Sequence, residues 1–359
     1  MNAQRSKVLV GMSGGVDSSV AAALLVQQGY DVTGAYMKNW TLDVPGMQCP
    51  WAEDLAYAKR TAVRLGIDFR VYDYQEQYKR DVVDYLVAEY QAGRTPNPDI
   101  MCNQQVKFGA FLDQALAEGF DYVATGHYAQ ADARTAKGVH TYRLLRATDE
   151  HKDQTYFLYR LGQRALAHTI FPLGGYTKAQ VRDMAADLGL PAADKPDSQG
   201  ICFIGEASIQ DFLRQYVRPQ PGAIVDADTH EVVGAHEGTL FYTLGQRKGL
   251  EVGGGAPYYV VGKNMEANMV FVSHNQASPH LRTQHVAIKD CSWIAGKPPR
   301  SEVLQFRTRH TGDLATGRLL PQGPDTAVIM FADEHEVVAP GQSVVVYRSQ
   351  VCLGGGIAR

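Results

Sequence analysis

The chain has 359 residues, a formal net charge of −3, and a hydrophobic share of 45%. That length suits two or three domains with sizeable cores, and that share is ordinary for a water-soluble protein. The net charge by itself argues for no polyanion partner. The charge is uneven, however: from Leu281 to Arg359 nine Lys and Arg stand against seven Asp and Glu, which leaves −5 for the rest. This hints at a basic C-terminal surface. No apolar run approaches the ~20 residues of a transmembrane helix. Met1 to Lys7 is short and polar, without a signal-peptide core. No membrane attachment is expected, and the cytoplasm is the default location. The five cysteines, Cys49, Cys102, Cys202, Cys291 and Cys352, are widely spaced and include no Cys-x-x-Cys pair. Neither a zinc ribbon nor a secreted disulfide framework is suggested. The histidines show no metal-ligand spacing, so no metal-ligating residues are assigned.

Val8-Leu9-Val10 reads as a buried strand and Val20 to Val26 as a helix. Between them lies Gly11-Met12-Ser13-Gly14-Gly15-Val16-Asp17-Ser18-Ser19. A glycine-rich turn that opens a helix holds phosphate, because backbone N–H groups converge there and the helix dipole favours negative charge. Gly14 and Gly15 let the backbone approach, and Ser13, Ser18 and Ser19 add hydroxyl donors. The stretch is not a Walker A loop, because Gly-Lys-Ser/Thr is missing.

Further along, Asp31 to Met37 reads as a strand and Trp51 to Leu65 as a helix. Phe69 to Tyr72 is a strand, Tyr78 to Tyr90 and Asn103 to Glu118 are helices, and Tyr122 to Thr125 is a short strand ending at Gly126. Strands alternating with helices predict an α/β domain, a parallel sheet with helices on both faces. In such sheets the site lies beyond the carboxyl ends of the strands. The phosphate loop, Met37 and Gly126 all fall there. Gln154 to Leu161, Arg164 to His168 and Thr177 to Leu188 read as helices, the last opened by the capping box Thr177-Lys178-Ala179-Gln180. Beyond Pro219 short β-rich runs take over, from Ala223-Ile224-Val225 to Ser343–Arg348. They predict two small β-rich domains, the second barrel-like. The expected division is 1–208, 209–280 and 281–359.

Two cysteines stand in chemically suggestive surroundings. Asn97 can cap a helix whose first residue is Pro98, which puts Cys102 near the positive end of the dipole, where a thiolate is favoured. Asp99 lies three residues earlier on the same face. It can move a proton, although its charge opposes thiolate formation. Cys202, in Asp194-Lys195-Pro196-Asp197-Ser198-Gln199-Gly200-Ile201-Cys202-Phe203, lies in a polar, turn-rich loop where a thiol is accessible. Both cysteines also fit a plain role as small buried hydrophobes. Cys49, Cys291 and Cys352 read as structural. His127 can contact nucleotide or be a hydrogen-bonded structural histidine, and the second reading is favoured. Lys152-Asp153-Gln154 can bind a phosphate or a base edge, or simply start a helix. Arg307-Thr308 can contact an RNA backbone, or face solvent on a strand.

Ser-Gly-Gly-Val-Asp-Ser at 13–18 resembles the pyrophosphate loop of enzymes that split ATP into AMP and pyrophosphate. Met37-Lys38-Asn39-Trp40, Thr95-Pro96-Asn97-Pro98-Asp99, Cys102-Asn103, Lys107-Phe108, Gly126-His127-Tyr128 and Lys152-Asp153-Gln154 extend the likeness. Phe171-Pro172-Leu173-Gly174, Ser198 to Phe203, Thr243 to Leu250 and Leu353 to Gly356 continue it in order. Together they look like the bacterial tRNA-specific 2-thiouridylases over nearly the whole chain. The resemblance implies that ATP binds at Gly11 to Ser18, with Met37 and Gly126 near the adenosine and Mg²⁺ accompanying the phosphates through Asp17. It implies that Asn97, Pro98 and Asp99 lie against the target base, while Lys152, Asp153, Gln154, Arg307 and Thr308 touch tRNA. The family often carries Arg-Tyr where this chain has Arg307-Thr308. Cys202 would receive persulfide sulfur from a relay protein, and Cys102 would close a transient disulfide with it. The implied reaction is ATP-dependent 2-thiolation of the wobble uridine in tRNAs for Lys, Glu and Gln. Two other readings remain open: an ATP-splitting ligase acting on a small molecule, and a tRNA-binding protein without catalysis.

Overall fold

The computed structural model describes residues 5–41, 50–136, 138–197, 209–253 and 255–359. Cys49, Cys202 and the rest of Ser198 to Phe203 lie outside the described residues.

The N-terminal strands are β1 (Lys7–Gly11), β2 (Asp31–Lys38), β3 (Asp68–Asp73) and β4 (Tyr122–Thr125). After them come β5 (Gln130–Ala136), β6 (Val139–Leu145) and the two-residue β7 (Thr169–Ile170). Five form one sheet in the order β3-β2-β1-β4-β7, every pairing parallel. Val8, Leu9 and Val10 have no exposed surface, as a strand covered on both faces requires. The chain leaves β1 toward β2 on one side and returns as β4 on the other. The carboxyl ends of β1 and β4 therefore flank the crevice where such sheets bind ligands.

The Val16–Gln27 and Trp51–Leu65 helices form where their patterns predict. The latter ends on Gly66 at φ 67°, the left-handed stop that glycine supplies without strain. The helix expected at Asn103 starts earlier, at Pro98. Asn97 caps it, its side chain accepting from the N–H groups of Asp99 and Ile100 at 3.1 and 3.3 Å. A stretch of wide, π-type turns runs from Cys102 to Ala110 before ordinary helix resumes at Phe111. Such irregular turns recur at functional sites. The expected capping box is present: Thr177 Oγ1 accepts from the N–H of Gln180, and Gln180 Oε1 accepts from that of Thr177.

The remaining strands form two small sheets. β8 (Gly222–Asp226), β9 (Val232–His236), β10 (Tyr259–Asn264) and β11 (Met269–Ser273) pair in the order β10-β11-β8-β9. β12 (Arg282–Trp293), β13 (Val303–Arg307), β14 (Ala315–Pro321), β15 (Ala327–Glu336), β16 (Ser343–Arg348) and β17 (Val351–Ala358) follow. They run β12-β15-β14-β13-β16-β17, and β12 pairs back onto β17. The barrel expected at the C-terminus is thus closed.

One feature departs from the sequence reading, which assigns no strands between Gly126 and Gln154. The β5–β6 hairpin forms there and adds to the edge of the barrel, with Val351 opposite Leu145 and Cys352 opposite Leu144. A single apolar cluster accordingly runs from Leu9, Phe111 and Val123 through Leu144, Tyr156 and Tyr159 to Val345, Tyr347 and Cys352. A second cluster joins Trp40, Tyr78, Leu86 and Cys102 to Phe212, Ile224, Phe241 and Val260 of the central sheet. Each small domain therefore shares its core with the first.

Candidate active site

Beyond β1 and β4 opens a cavity of about 280 Å³. Its floor is the glycine loop, with Gly11, Met12, Ser13, Asp17 and Ser18 on the wall. Two glycines hold the loop in place. Gly14 adopts φ +78°, and a Cβ there would lie 2.2 Å from the Asp54 carbonyl oxygen. A Cβ on Gly126 would lie 2.7 Å from the Ser18 nitrogen and 2.8 Å from the Asp17 carbonyl carbon. The turn after β4 therefore packs directly on the first turn of the Val16–Gln27 helix. Ser13 and Ser18 hydroxyls lie 3.3 Å apart, and Ser18 Oγ also accepts from the Ser13 N–H at 3.2 Å.

The opposite wall is aromatic and apolar, formed by Tyr36, Met37, Trp40, Trp51 and Tyr78. Thr125, Gly126, His127 and Gln154 close one end. Such a cavity, apolar on one side and rich in donors on the other, suits a nucleotide. His127 Nδ1 lies 2.8 Å from Thr125 Oγ1. Burial, with Lys107 adding to it, holds the imidazole well below its ordinary pKa and therefore neutral.

Lys107 also lines the cavity. It lies on the helical stretch capped by Asn97, five residues past Cys102. Cys102 is 2% exposed, in the apolar cluster that includes Trp40 and Tyr78 of the cavity wall. Burial pushes the Asp99 carboxyl up from its ordinary value, and the Lys107 charge opposes the shift. A carboxyl held in that way is suited to giving and taking a proton.

A residue outside the sequence-based site is central here. Lys178 Nζ lies 2.6 Å from Asp17 Oδ1 and 2.8 Å from Asp197 Oδ1. Asp17 Oδ1 also accepts from Tyr128 Oη at 2.9 Å. Asp197 receives Lys152 at 2.8 Å and Arg182 at 2.6 Å as well. Burial alone would raise the Asp197 pKa, but hydrogen bonds from Lys152 and Lys178 outweigh it and hold the carboxyl well below the usual range. Lys178 is the first residue of its helix, where a cation opposes the helix dipole. That unfavourable placement was the signal in the sequence. A second pair, Lys195 with Asp54, ties the same segment to the cavity wall.

The triplet at 152–154 points three ways. Lys152 faces outward to Asp197. Gln154 Oε1 accepts from the Tyr128 N–H at 2.9 Å. Asp153 is buried, and its side chain accepts from the N–H of Ala147, from Thr155 Oγ1 and from Arg307. Arg307 is 6% and Thr308 7% exposed, and the Arg307–Asp153 distance is 2.9 Å. Arg307, expected from sequence to face RNA, here neutralises a buried carboxylate and holds the barrel to the first domain. Arg307→Ala leaves that carboxylate with the more distant Arg146, at 3.4 Å. Breaking a buried pair from one side costs about 3–5 kcal/mol, so the thermal midpoint is expected to fall by roughly 5–10 °C. An unchanged midpoint with weakened RNA binding would instead make Arg307 a direct RNA ligand.

Cys352 is buried in the barrel, and burial pushes the Cys291 and Cys352 thiols up to about 12. Both fit the structural role expected of them. Among the described residues no helix is long and apolar enough to cross a membrane.

Comparison with known proteins matches each of the three units. A family model described as the tRNA methyl transferase HUP domain covers residues 6–206. A tRNA methyl transferase PRC-barrel domain covers 210–274, and an aminomethyltransferase beta-barrel domain covers 283–358. Among similar chains, the tRNA-specific 2-thiouridylase MnmA of Methylobacillus flagellatus is 46% identical over 359 residues, covering 98% of each chain. The protein of the same name from Aromatoleum aromaticum is 45% identical over 362 residues, covering 98% of this chain and 97% of that one. That from Nitrosomonas eutropha is 46% identical over 359 residues, covering 98% of both. Likeness this even, running through all three sheets in the same order, makes the chain a member of the tRNA-specific 2-thiouridylase family.

Proposed function

We propose that this protein is an ATP-dependent tRNA-uridine 2-sulfurtransferase. The observation that carries the reading is the meeting, at one cavity, of a glycine phosphate loop with Lys107, on the helical stretch that Asn97 caps and that also bears Asp99 and Cys102. The name shared by the relatives supports it.

ATP lies with its phosphates on the N–H groups of Gly11 to Ser18, including Gly14, Gly15 and Val16, and with Met37 and Gly126 beside the adenosine. Lys178, now on Asp17, reaches the same phosphates. Among the described residues no three His, Cys, Asp or Glu side chains group as a metal cage. Asp17 would hold Mg²⁺ together with phosphate oxygens, the usual division for this ion. When bound it neutralises charge on the departing pyrophosphate.

The 2-oxygen of uridine is a poor leaving group. It attacks the α-phosphorus, pyrophosphate departs, and the oxygen now carries AMP. Cys202 brings a persulfide, Cys–S–SH, received from a sulfur-relay protein. The terminal sulfur bonds to C2, and the C2–O bond breaks to release AMP. Cys102 bonds to the Cys202 sulfur as the persulfide S–S bond breaks, leaving a Cys102–Cys202 disulfide that an external dithiol reduces. Asp99 moves the proton, and Asn97 and Pro98 border the base, which leaves its stack to enter. Lys152 meets the tRNA directly. Asp153, Gln154, Arg307 and Thr308 shape that surface from beneath. The substrates are the wobble uridines of tRNAs for Lys, Glu and Gln, in the cytoplasm. Methyl transfer, which the family-model descriptions mention, needs neither ATP cleavage nor paired thiols.

Oxygen labelling tests the adenylation step. With ¹⁸O at the uridine 2-position, the label is expected in the phosphate of AMP. Unlabelled AMP would mean that ATP is hydrolysed by water and that the 2-oxygen is never activated.

A further inference from the structure

The Thr243-Leu244-Gly245-Gln246-Arg247-Lys248-Gly249 turn of the central domain has no part in the chemistry above, yet it is built with care. Gln246 Oε1 accepts from the Thr243 N–H at 3.0 Å, and its Nε2 donates to the Lys248 carbonyl at 2.9 Å. Gly245 and Gly249 take φ +80° and +74°, which a side chain would strain. The turn is thereby fixed with Arg247 and Lys248 exposed. Among the described residues neither is in an ion pair.

The turn also touches the segment that leads into the candidate active-site helix. Thr243 Oγ1 lies 3.0 Å from Thr95 Oγ1, two residues before the helix cap Asn97. The barrel grips the same residue: the Thr95 N–H donates to the Pro340 carbonyl at 2.7 Å, and Gln342 Nε2 donates to the Thr95 carbonyl at 2.9 Å. All three domains meet at the root of the segment that carries Asp99 and Cys102.

From this junction a furrow of about 310 Å³ runs between the turn and the barrel. A smaller hollow of about 120 Å³ shares Gly245 and Arg309 with it and continues to Arg282. Arg309 lies across the furrow, its guanidinium 3.9 Å from where a Cβ on Gly245 would be. Its counter-ion is Glu336 at 2.8 Å, in a pair more than half exposed on both sides. Exposed pairs of this kind are worth little, so a phosphate can replace the carboxylate.

We propose that this furrow seats the sugar-phosphate backbone of the RNA substrate, with Arg247, Lys248 and Arg309 as its phosphate-contacting residues. The inference rests on the tRNA reading above. The cations lie on a fixed turn and just past the end of a barrel strand, and the turn is tied through Thr95 to the segment that carries Asp99 and Cys102. Such contacts set the register of an RNA without reading its sequence.

The test measures binding of an unmodified tRNA transcript to the full chain at several salt concentrations. For the double variant Arg247→Ala/Lys248→Ala, the dissociation constant is expected to rise about tenfold at low salt. The slope of log K against log salt is expected to become shallower by about 1.5–2, the loss of two phosphate contacts. Arg309→Ala is expected to lose about half as much slope, and Glu336→Gln to bind a few times tighter. Thermal midpoints and ATP affinity are expected to stay at wild-type values, since these side chains are exposed and none of them lines the nucleotide cavity. An unchanged slope in the double variant, with wild type binding normally, would overturn the furrow and leave the enzyme reading intact. Failure of wild type to bind tRNA would overturn both.

Discussion

Cys102→Ala and Cys102→Ser are both expected to lose thiolated product by at least about a thousandfold, the scale on which removing a nucleophile acts. The structure makes this a discriminating result. Cys102 lies at 2% exposure in the apolar seam between the first domain and the central sheet, which is where a purely structural cysteine would also lie. In that case alanine would fill the site tolerably, since a small void costs little, while a serine hydroxyl buried there costs about 1–3 kcal/mol. A structural role therefore predicts that the alanine variant keeps most of its activity and that serine is the worse substitution. A nucleophile predicts that both are inactive, with thermal midpoints within several degrees of wild type. Nucleoside mass spectrometry of the reacted tRNA reads the first quantity, and a melting curve reads the second.

Gly126→Ala is expected to weaken ATP binding by about 10–100-fold. The added methyl would lie 2.7 Å from the Ser18 nitrogen and 2.8 Å from the Asp17 carbonyl carbon. Both are backbone atoms, so no flexible side chain can turn away. Either β4 or the phosphate loop has to shift, and overpacking of that kind costs about 1–3 kcal/mol. Asp17 and Ser18 belong to the first turn of the Val16–Gln27 helix and also line the cavity, so the strain falls on the cavity wall. The N–H groups that meet phosphate are then displaced together. Titration calorimetry with ATP checks the expectation. Wild-type affinity in this variant would show that the nucleotide does not use the crevice between β1 and β4.

The parts of this molecule that are local in sequence were legible there. The β1 strand, the glycine loop, the Asn97 cap and the Thr177 capping box each depend on residues a few positions apart, and each forms as its pattern predicts. What the pattern could not carry is pairing over distance. The β5 segment, Gln-Ala-Asp-Ala-Arg-Thr-Ala, is polar and unremarkable by itself. It becomes a strand because its partner β6 adds to β17, about two hundred residues later. Asp153 reads as a surface carboxylate beside Lys152, and only the fold brings Arg307 to it across 154 positions. Lys178 was visible only as part of a helix cap. Its reach to Asp17, 161 residues away, makes it part of the site.

The cavity is expected to activate uridine with ATP so that a thiol-borne sulfur can replace its 2-oxygen. Nucleoside mass spectrometry tests it most directly. Unmodified tRNA is incubated with the full chain, ATP, Mg²⁺ and a persulfide donor, and the digest is searched for uridine that has exchanged oxygen for sulfur. 2-Thiouridine is expected to depend on ATP, to be matched by AMP, and to be absent with Cys202→Ser. Thiolated product formed without ATP, or formed equally well by Cys202→Ser, would contradict it.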